Sequence, residues 1–260
     1  MSRLWQALPP AVLLIALAQC TAAESPSGGQ GSSPSVKPRI QMMTSLPLVW
    51  GDDASMERIL SGSAEPAPIY RYWQSRYEVA AVDSLENLVR DSPDIVMLAQ
   101  PRAMDPADLT ILDGWVRRGG KVIIFTDPDL VWPSELPLGD PRRPLASGLL
   151  SPLLGHWGLE LVADADRRLD AVKMRVGSYS FVTAGVGKLQ TLPASKADNI
   201  SCKANADNFI VQCSVGQGQA SIVADADFLN ASLWPESVRQ SPQKSGAGRL
   251  VDSLVEGAVG

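Results

Sequence analysis

The sequence predicts an α/β fold with a parallel central sheet, and the clearest reason lies in residues 94–129. Two unbroken apolar runs, at residues 95–99 and 122–125, have the length and composition of strands that are buried on both faces. Between them, Asp105-Pro106 favours a helix start and Gly119-Gly120 favours a left-handed helix end. A strand, a helix and a strand in this order predict a βαβ unit with two parallel strands.

The rest of the first half repeats this alternation of strand and helix. Hydrophobic spacing and breaker residues predict further strands at residues 39–45, 78–82, 159–162 and 219–224. The same signals predict helices at residues 56–60, 69–77, 83–90, 146–157 and 250–259. We therefore expect a doubly wound, flavodoxin-like sheet of about five parallel strands, with helices on both faces.

Residues 168–218 have a different texture: short β-like runs are separated by Gly, Asn and Asp, which indicates an antiparallel β insertion. Within it, Cys202 and Cys213 lie symmetrically about Asp207-Asn208, a favourable two-residue turn. The cysteines of such a hairpin face each other at a distance that a disulfide can bridge. The alternative is two buried free thiols.

The N-terminal residues indicate export. Arg3, an apolar core and small residues favour a secretory signal peptide over residues 1–23. The sequence around Cys20 also approaches a lipoprotein box, in which this cysteine would carry the lipid, and an uncleaved anchor is a third alternative. Residues 24–38 are expected to be a flexible tether before an α/β domain at residues 39–260. We expect a periplasmic protein, either free or lipid-anchored.

Composition excludes some classes of function. The chain has 260 residues, 45% of them hydrophobic, and a formal net charge of -5. Basic residues are scattered rather than grouped, so a nucleic-acid partner is not expected. The Gly-rich residues 185–188 lack the spacing and the following Ser or Thr of a phosphate-binding loop. We expect no cofactor.

Nucleophilic catalysis is not predicted either. It needs a Cys or Ser at a sharp strand-to-helix turn and a base, most often His, that activates it. The strand that ends at Ala99 is followed by Gln100-Pro101, and the only histidine, His156, follows an apolar helix. We expect that histidine to pack or to cap the helix end. The sequence therefore favours a protein that is not an enzyme.

Several segments, in their order along the chain, resemble one known family. They are residues 45–48, 115–121, 125–128, 156–159 and 218–229. The family is the auxiliary domain of gliding-motility-type (Gld-type) ABC transport systems, which is similar in fold to class I glutamine amidotransferase-like domains. The resemblance implies an accessory protein with ABC permease and ATPase subunits as partners. Membrane contact is then expected only through those partners or through a lipid on Cys20.

Acidic residues follow two of the predicted strands. Asp127 and Asp129 follow one strand, and Asp225 and Asp227 follow another. If both strands are parallel in one sheet, the four carboxylates lie at the same edge. The alternatives are capping of the two turns, binding of a divalent cation, and acid–base catalysis in an envelope hydrolase.

A long Pro-rich loop at residues 126–145 leaves the same edge, where open α/β sheets place their ligands. The other candidate binding residues, in this loop or after the first strand, are Trp50, Asp52, Trp132, Glu135, Arg142 and Arg143. We hypothesise that this edge recognises a protein subunit or a small ligand such as a sugar, in a transport system or as a stand-alone binding module. The alternative is that Trp132 is buried under its own loop and the arginines pair with Asp140 and Glu135.

Overall fold

A computed structural model of the protein describes residues 37–52, 54–137, 139–140, 142–165, 169–192 and 199–260. The predicted signal peptide, Cys20 and the tether up to residue 36 lie outside the described residues. Residues Lys37–Gly260 form one unit. No helix among the residues that the structure describes is both long and apolar enough to cross a membrane.

The central sheet is mostly parallel. The described strands, in chain order, are β1 (Arg39–Thr44), β2 (Glu78–Ala81), β3 (Ile95–Ala99), β4 (Lys121–Phe125), β5 (Leu159–Ala163), β6 (Val172–Val176), β7 (Tyr179–Thr183), β8 (Gly187–Thr191), β9 (Ile200–Ala204), β10 (Ile210–Val215) and β11 (Gly218–Val223). Seven of them form the sheet, in the order β2-β1-β3-β4-β11-β10-β9. The first five run parallel, and β10 and β9 extend the sheet in antiparallel orientation. Every residue of β3 is buried, as its continuous apolar run predicts.

Helices cover both faces of this sheet. The described helices are α1 (Met56–Leu60), α2 (Pro68–Arg76), α3 (Leu88–Asp91), α4 (Pro106–Arg117), α5 (Ser151–His156), α6 (Glu236–Arg239) and α7 (Gly246–Val259). Apolar side chains of α2 and α7 pack on one face, and those of α3, α4 and α5 pack on the other. The start of α4 follows the predicted chemistry, because the Asp105 carboxylate accepts a hydrogen bond from the Ala107 N–H at 2.8 Å. The α/β class is therefore confirmed.

One predicted helix, at residues 146–157, is much shorter than expected. It is α5, which has Pro152 in its first turn. The residues before it belong to the closing part of the preceding loop, where the Gly148 N–H donates to the Asp127 carbonyl at 2.7 Å. A β-carbon at Gly148 would lie 2.2 Å from Thr126 Oγ1. This close approach holds the chain out of helical conformation until residue 151.

The helix predicted at residues 83–90 is also shorter, and one predicted strand pairs elsewhere. The Asp108 carboxylate accepts hydrogen bonds from the Leu85 N–H at 3.0 Å and from the Ser84 hydroxyl at 3.2 Å. These contacts tie the start of the segment to α4, so that helical structure begins only at Leu88. The strand predicted at residues 159–162 is β5, which pairs antiparallel with β8 and lies outside the central sheet.

The predicted disulfide is confirmed, and the strands of residues 168–218 pair antiparallel, although β9 and β10 belong to the central sheet. β6 pairs with β7 and β9 pairs with β10, where Cys202 lies opposite Cys213 and forms a disulfide with it. The turn of this hairpin is longer than the two residues predicted. The Asn205 side chain accepts hydrogen bonds from the N–H groups of Phe209 and Ile210, at 2.8 and 3.1 Å. Asn205 thus closes a wider turn without changing the register of the two cysteines.

Candidate functional site

A cavity of about 640 Å³, called the edge cavity below, opens at the carboxyl ends of β1 and β2. Its walls come from the loops after β1 and β2 and from residues 126–145, which we call the cavity loop. The predicted binding residues that line it are Trp50, Asp52, Trp132, Glu135 and Arg142. A volume of this size is typical of small-molecule pockets, which combine apolar walls with a few polar groups.

Gln100 holds the two ends of the cavity loop together. It follows β3 directly, is fully buried, and has a φ of 45°, an unusual conformation for a residue other than glycine. Its side-chain oxygen accepts a hydrogen bond from the Asp127 N–H at 2.8 Å. Its amide nitrogen donates to the carbonyls of Asp127 and Leu145, both at 3.1 Å. The loop is therefore fixed at its base, and the cavity that it borders is preformed.

Trp132 connects the cavity loop to the loop after β1. Its indole N–H donates to the Asp52 carboxylate at 2.8 Å, and the side chain is only 8% exposed. Trp132 therefore forms part of the cavity wall. Its side chain is buried, as in the alternative stated from the sequence, rather than free to contact a partner. Trp50, by contrast, is 51% exposed at the rim of the cavity.

The two arginines of the cavity loop bind within the loop. Arg142 makes a two-pronged ion pair with Asp140, with donor–acceptor distances of 3.0 and 2.7 Å. The hydrogen bonds from Arg142 lower the pKa of Asp140 to about 2. Arg143 donates to the carbonyls of Ser134 and Leu136, at 3.3 and 2.7 Å, and does not line the cavity. Arg143 thus shapes the loop, whereas Glu135 and Arg142 present charge at the cavity.

Three of the four acids that follow β4 and β11 come together at the same edge, but inside the protein, whereas Asp129 is only half-buried. Asp127, Asp225 and Asp227 are each 0% exposed. The Asp127 carboxylate accepts hydrogen bonds from the N–H groups of Asp129 and Ala226, at 2.8 and 3.2 Å. These bonds join the cavity loop to the turn after β11. Asp127 therefore caps the turns, which is the first of the three roles considered from the sequence.

The other two buried acids also cap turns. Asp225 accepts hydrogen bonds from the Thr183 hydroxyl at 2.6 Å and from the Phe228 N–H at 3.2 Å. Asp227 accepts one from the Val131 N–H at 2.7 Å. Each carboxylate therefore orders a backbone segment, and none of the three has a surface open to a substrate.

Burial governs the protonation of this buried acid cluster. Desolvation, reinforced by the charge of Asp227, raises the pKa of Asp127 to about 8. Desolvation alone raises the pKa of Asp227 to about 6, and burial together with the charge of Asp127 raises the pKa of Asp225 well above its usual value. Among the described residues, no group of His, Cys, Asp and Glu is arranged to hold a metal ion.

His156 lies far from these acids. It is the last residue of α5, and its Nε2 is 3.1 Å from a guanidinium nitrogen of Arg117, the last residue of α4. Since α4 ends just before the start of β4, the histidine lies at the amino-terminal edge of the sheet. The structure therefore does not bring His156 together with the acids or with the edge cavity.

Sequence reasoning missed some residues of the site. Three of them lie at the carboxyl ends of parallel strands: Thr44 is the last residue of β1, Asp83 closely follows β2, and Arg102 closely follows β3. All three line both the edge cavity and an adjoining cavity of about 700 Å³. The rule that placed the acids at this edge applies to every parallel strand, so it could have found these three. For Gln100 the sequence offers one sign of a role at this edge, namely that a polar residue directly follows a buried strand.

The fold and the site define an α/β domain with a preformed cavity at the carboxyl edge of its sheet and a buried acid cluster that orders the surrounding loops. Residues 37–178 match the family described as an ABC-type uncharacterized transport system, and the chain belongs to that family. No curated protein sequence matches the chain.

Some solved structures are similar to this chain. The mmIFT52 N-terminal domain has a TM-score of 0.50 at 10% identity, covering 85% of this chain and 96% of that one. The exo-β-1,4-mannosidase Op5Man5 from Opitutaceae bacterium strain TAV5 has a TM-score of 0.46 at 13% identity, covering 83% of this chain and 36% of the mannosidase. Cytoplasmic protein STM1381 from Salmonella typhimurium LT2 has a TM-score of 0.44 at 14% identity, covering 84% and 98%. The chain thus spans little more than a third of the mannosidase, and identities this low concern the fold alone.

Proposed function

We propose that the protein is an exported, non-enzymatic auxiliary component of an ABC-type transport system, and that it binds a protein or a small ligand at the edge cavity. The observation that carries this proposal is that the edge cavity is preformed and lined by aromatic and charged side chains, while the nearby acids are sealed from solvent. Ligands of open α/β sheets bind at this edge, next to the point where the strand order reverses. In this chain the order reverses between β1 and β3, and Ser45 after β1 and Arg102 after β3 both line the cavity.

The strand order supports a finer description of the fold. The arrangement β2-β1-β3-β4-β11 corresponds to the 2-1-3-4-5 order of flavodoxin-like sheets, and it is compatible with the glutamine amidotransferase-like fold that the Gld-type resemblance implies. In such a domain the turn after β3 would carry a nucleophile. Gln100 occupies that turn, with its side chain buried and bonded to backbone. A buried glutamine there favours a role in binding over catalysis.

Export to the periplasm is supported by the N-terminal sequence signals and by the disulfide. A disulfide persists in an oxidising compartment, and Cys202 and Cys213 form one. Attachment through a lipid on Cys20 remains the alternative to a free periplasmic protein. Mass spectrometry of the protein purified from its own cells distinguishes the two, because lipidation adds acyl chains to the mature N-terminus.

Site-specific photo-cross-linking tests the proposed function. A photoreactive residue replaces Glu135 at the edge cavity, and in a matched control it replaces the exposed Gln74 at the end of α2, next to the amino-terminal edge of the sheet. We expect position 135 to cross-link to the permease subunit of an ABC transporter, which an exported protein can reach, and position 74 not to do so; mass spectrometry identifies the cross-linked protein. Cross-linking of such a subunit at position 74 alone would refute the proposal, and cross-linking at neither position would exclude a transporter subunit as the partner of the edge cavity and leave only a small ligand.

A further inference from the structure

An apolar ridge stands beside the edge cavity. We use this name for Trp50, Met56 and Leu60, which are 51%, 57% and 79% exposed. Met56 and Leu60 are one helical turn apart, so they share one face of α1, a helix that has no buried residue. Exposed apolar side chains that cluster next to a cavity are typical of an interaction site, whereas isolated ones are ordinary.

The ridge is held in a defined position. The Ala67 N–H donates to the Leu48 carbonyl at 2.9 Å, which closes the segment that carries the ridge. Gly51 has a φ of 80°, and a β-carbon there would lie 2.2 Å from the Glu65 carbonyl oxygen. A helix of five residues is not stable by itself, so these contacts keep α1 in place. A surface that is already ordered binds a partner at a lower entropic cost.

The ridge is continuous with the edge cavity and lies in an acidic segment. Trp50 and Ile59, which is next to Leu60, both line the cavity. Among the described residues of the range 50–65, three acids and one base, Asp52, Glu57, Glu65 and Arg58, give a net charge of -2. Glu65 also pairs with Arg71 at 3.7 Å, so Asp52 and Glu57 carry most of the negative charge beside the ridge. The Arg58 guanidinium donates to the Ser63 carbonyl at 3.3 Å, within the same segment. An apolar surface with an acidic border is complementary to a basic, amphipathic partner.

We propose that the apolar ridge is the docking surface for a basic amphipathic helix of a partner protein. Its apolar face would cover Met56 and Leu60 and place a side chain into the edge cavity past Trp50, and its Lys or Arg residues would face Glu57 and Asp52. This inference rests on the proposed function and specifies the partner for the same site. The acidic border argues against a bilayer as the partner, because anionic lipid headgroups attract basic segments and repel acidic ones.

Binding of designed peptides to the purified protein tests this inference. The probe is a short fluorescent amphipathic helix of Leu and Lys, and a Leu/Glu helix with the same apolar face is its counterpart. We expect the Leu/Lys peptide to bind, with an affinity that falls at higher salt, and the Leu/Glu peptide not to bind. Met56→Ser with Leu60→Ser should weaken binding of the Leu/Lys peptide by about tenfold or more.

Two matched substitutions, one on α3 and one just before it, control for nonspecific attraction; α3 packs on the face of the sheet that carries α4 and α5. Val89, which is 61% exposed, is replaced by Ser, and the exposed Glu86 before α3 is replaced by Gln. Neither change should alter peptide affinity more than about twofold, whereas Glu57→Gln should weaken it several-fold. Equal binding of both peptides, or equal effects of ridge and control substitutions, would overturn the inference.

Vesicles and cross-linking separate the remaining outcomes. Ridge-dependent binding to phosphatidylglycerol vesicles without binding of the Leu/Lys peptide would mean that the ridge meets a membrane, and would also overturn the inference. If the ridge variants lose peptide binding and also lose the cross-link from position 135, the inference is supported. If that cross-link persists in the ridge variants, the proposed function stands and the ridge is not the docking surface.

Discussion

Replacing Gln100 by Met is the most direct perturbation of the candidate site that leaves its surface residues untouched. Methionine has a similar length and volume, and it keeps the backbone strain at a φ of 45° unchanged. It removes the three hydrogen bonds by which Gln100 joins Asp127 and Leu145. The substitution therefore isolates the contribution of these bonds to the base of the cavity loop.

The expected loss follows from the partners that Gln100 leaves behind. The Asp127 N–H loses its buried acceptor, which costs about 1–3 kcal/mol, and the Leu145 carbonyl loses a bond worth about 1 kcal/mol. The Asp127 carbonyl loses less, because it still accepts a hydrogen bond from the Gly148 N–H at 2.7 Å. We therefore expect the free energy of unfolding to fall by about 3 kcal/mol. For a domain of this size, that lowers the melting temperature by roughly 6–12 °C.

Urea denaturation followed by tryptophan fluorescence measures this change. The midpoint of Gln100→Met should fall while the m-value stays constant, since the surface exposed on unfolding is the same. Gln74→Met, at an exposed position of α2, is the matched control and should change the free energy of unfolding by less than about 0.5 kcal/mol. A Gln100→Met protein as stable as the control would refute the role of Gln100 as the clamp of the cavity loop.

Three other features give testable predictions. The pKa values of about 8 for Asp127 and about 6 for Asp227 exceed the ordinary 3.8, so the folded protein binds protons more tightly than the unfolded chain. The stabilisation from these two groups is complete below pH 3.8 and is lost as the pH rises through about 6 and about 8. On acidification to about pH 5, the melting temperature of Asp227→Asn should therefore rise less than that of the native chain. Replacing both Cys202 and Cys213 by Ser should lower the free energy of unfolding by about 3 kcal/mol in urea. Trp132→Phe, which loses the 2.8 Å hydrogen bond to Asp52, should cost about 1 kcal/mol in the same assay.

Each of these predictions has its own control. An Asp227→Asn protein with the pH dependence of the native chain would show that Asp227 is not protonated in this range. A reducing agent should lower the melting temperature of the native protein and leave that of the double serine variant unchanged; equal sensitivity would argue against the disulfide. Trp50→Phe, at the exposed rim, should be nearly neutral, and a loss as large as that of Trp132→Phe would contradict the wall position of Trp132.

Local signals in the sequence predict most of the central sheet. Asp105, Pro106 and the buried run of β3 act through short-range chemistry, so the βαβ unit lies where it is expected. The shortened start of α5 has a different origin. Gly148 approaches Thr126 and Asp127, more than twenty residues earlier in the chain, and helical spacing contains no trace of that contact.

In the candidate site, too, the sequence predicts what strand direction determines and misses what long-range packing determines. Parallel strands bring Asp127 and Asp225 to one edge, and that juxtaposition follows from strand direction alone. Whether such acids face solvent depends on the turn and loop that close over them, which the sequence does not indicate. The burial of Trp132 depends likewise on a hydrogen bond to Asp52, 80 residues away.

Hydrogen exchange, measured by mass spectrometry on the protein alone and mixed with the purified permease and ATPase subunits of its transport system, tests the binding role of the edge cavity most directly. We expect slower exchange in the loop after β1 and in residues 132–136 of the cavity loop, with no change at the start of β4 on the opposite edge. Unchanged exchange at the cavity, or slower exchange confined to the amino-terminal edge of the sheet, would contradict that role.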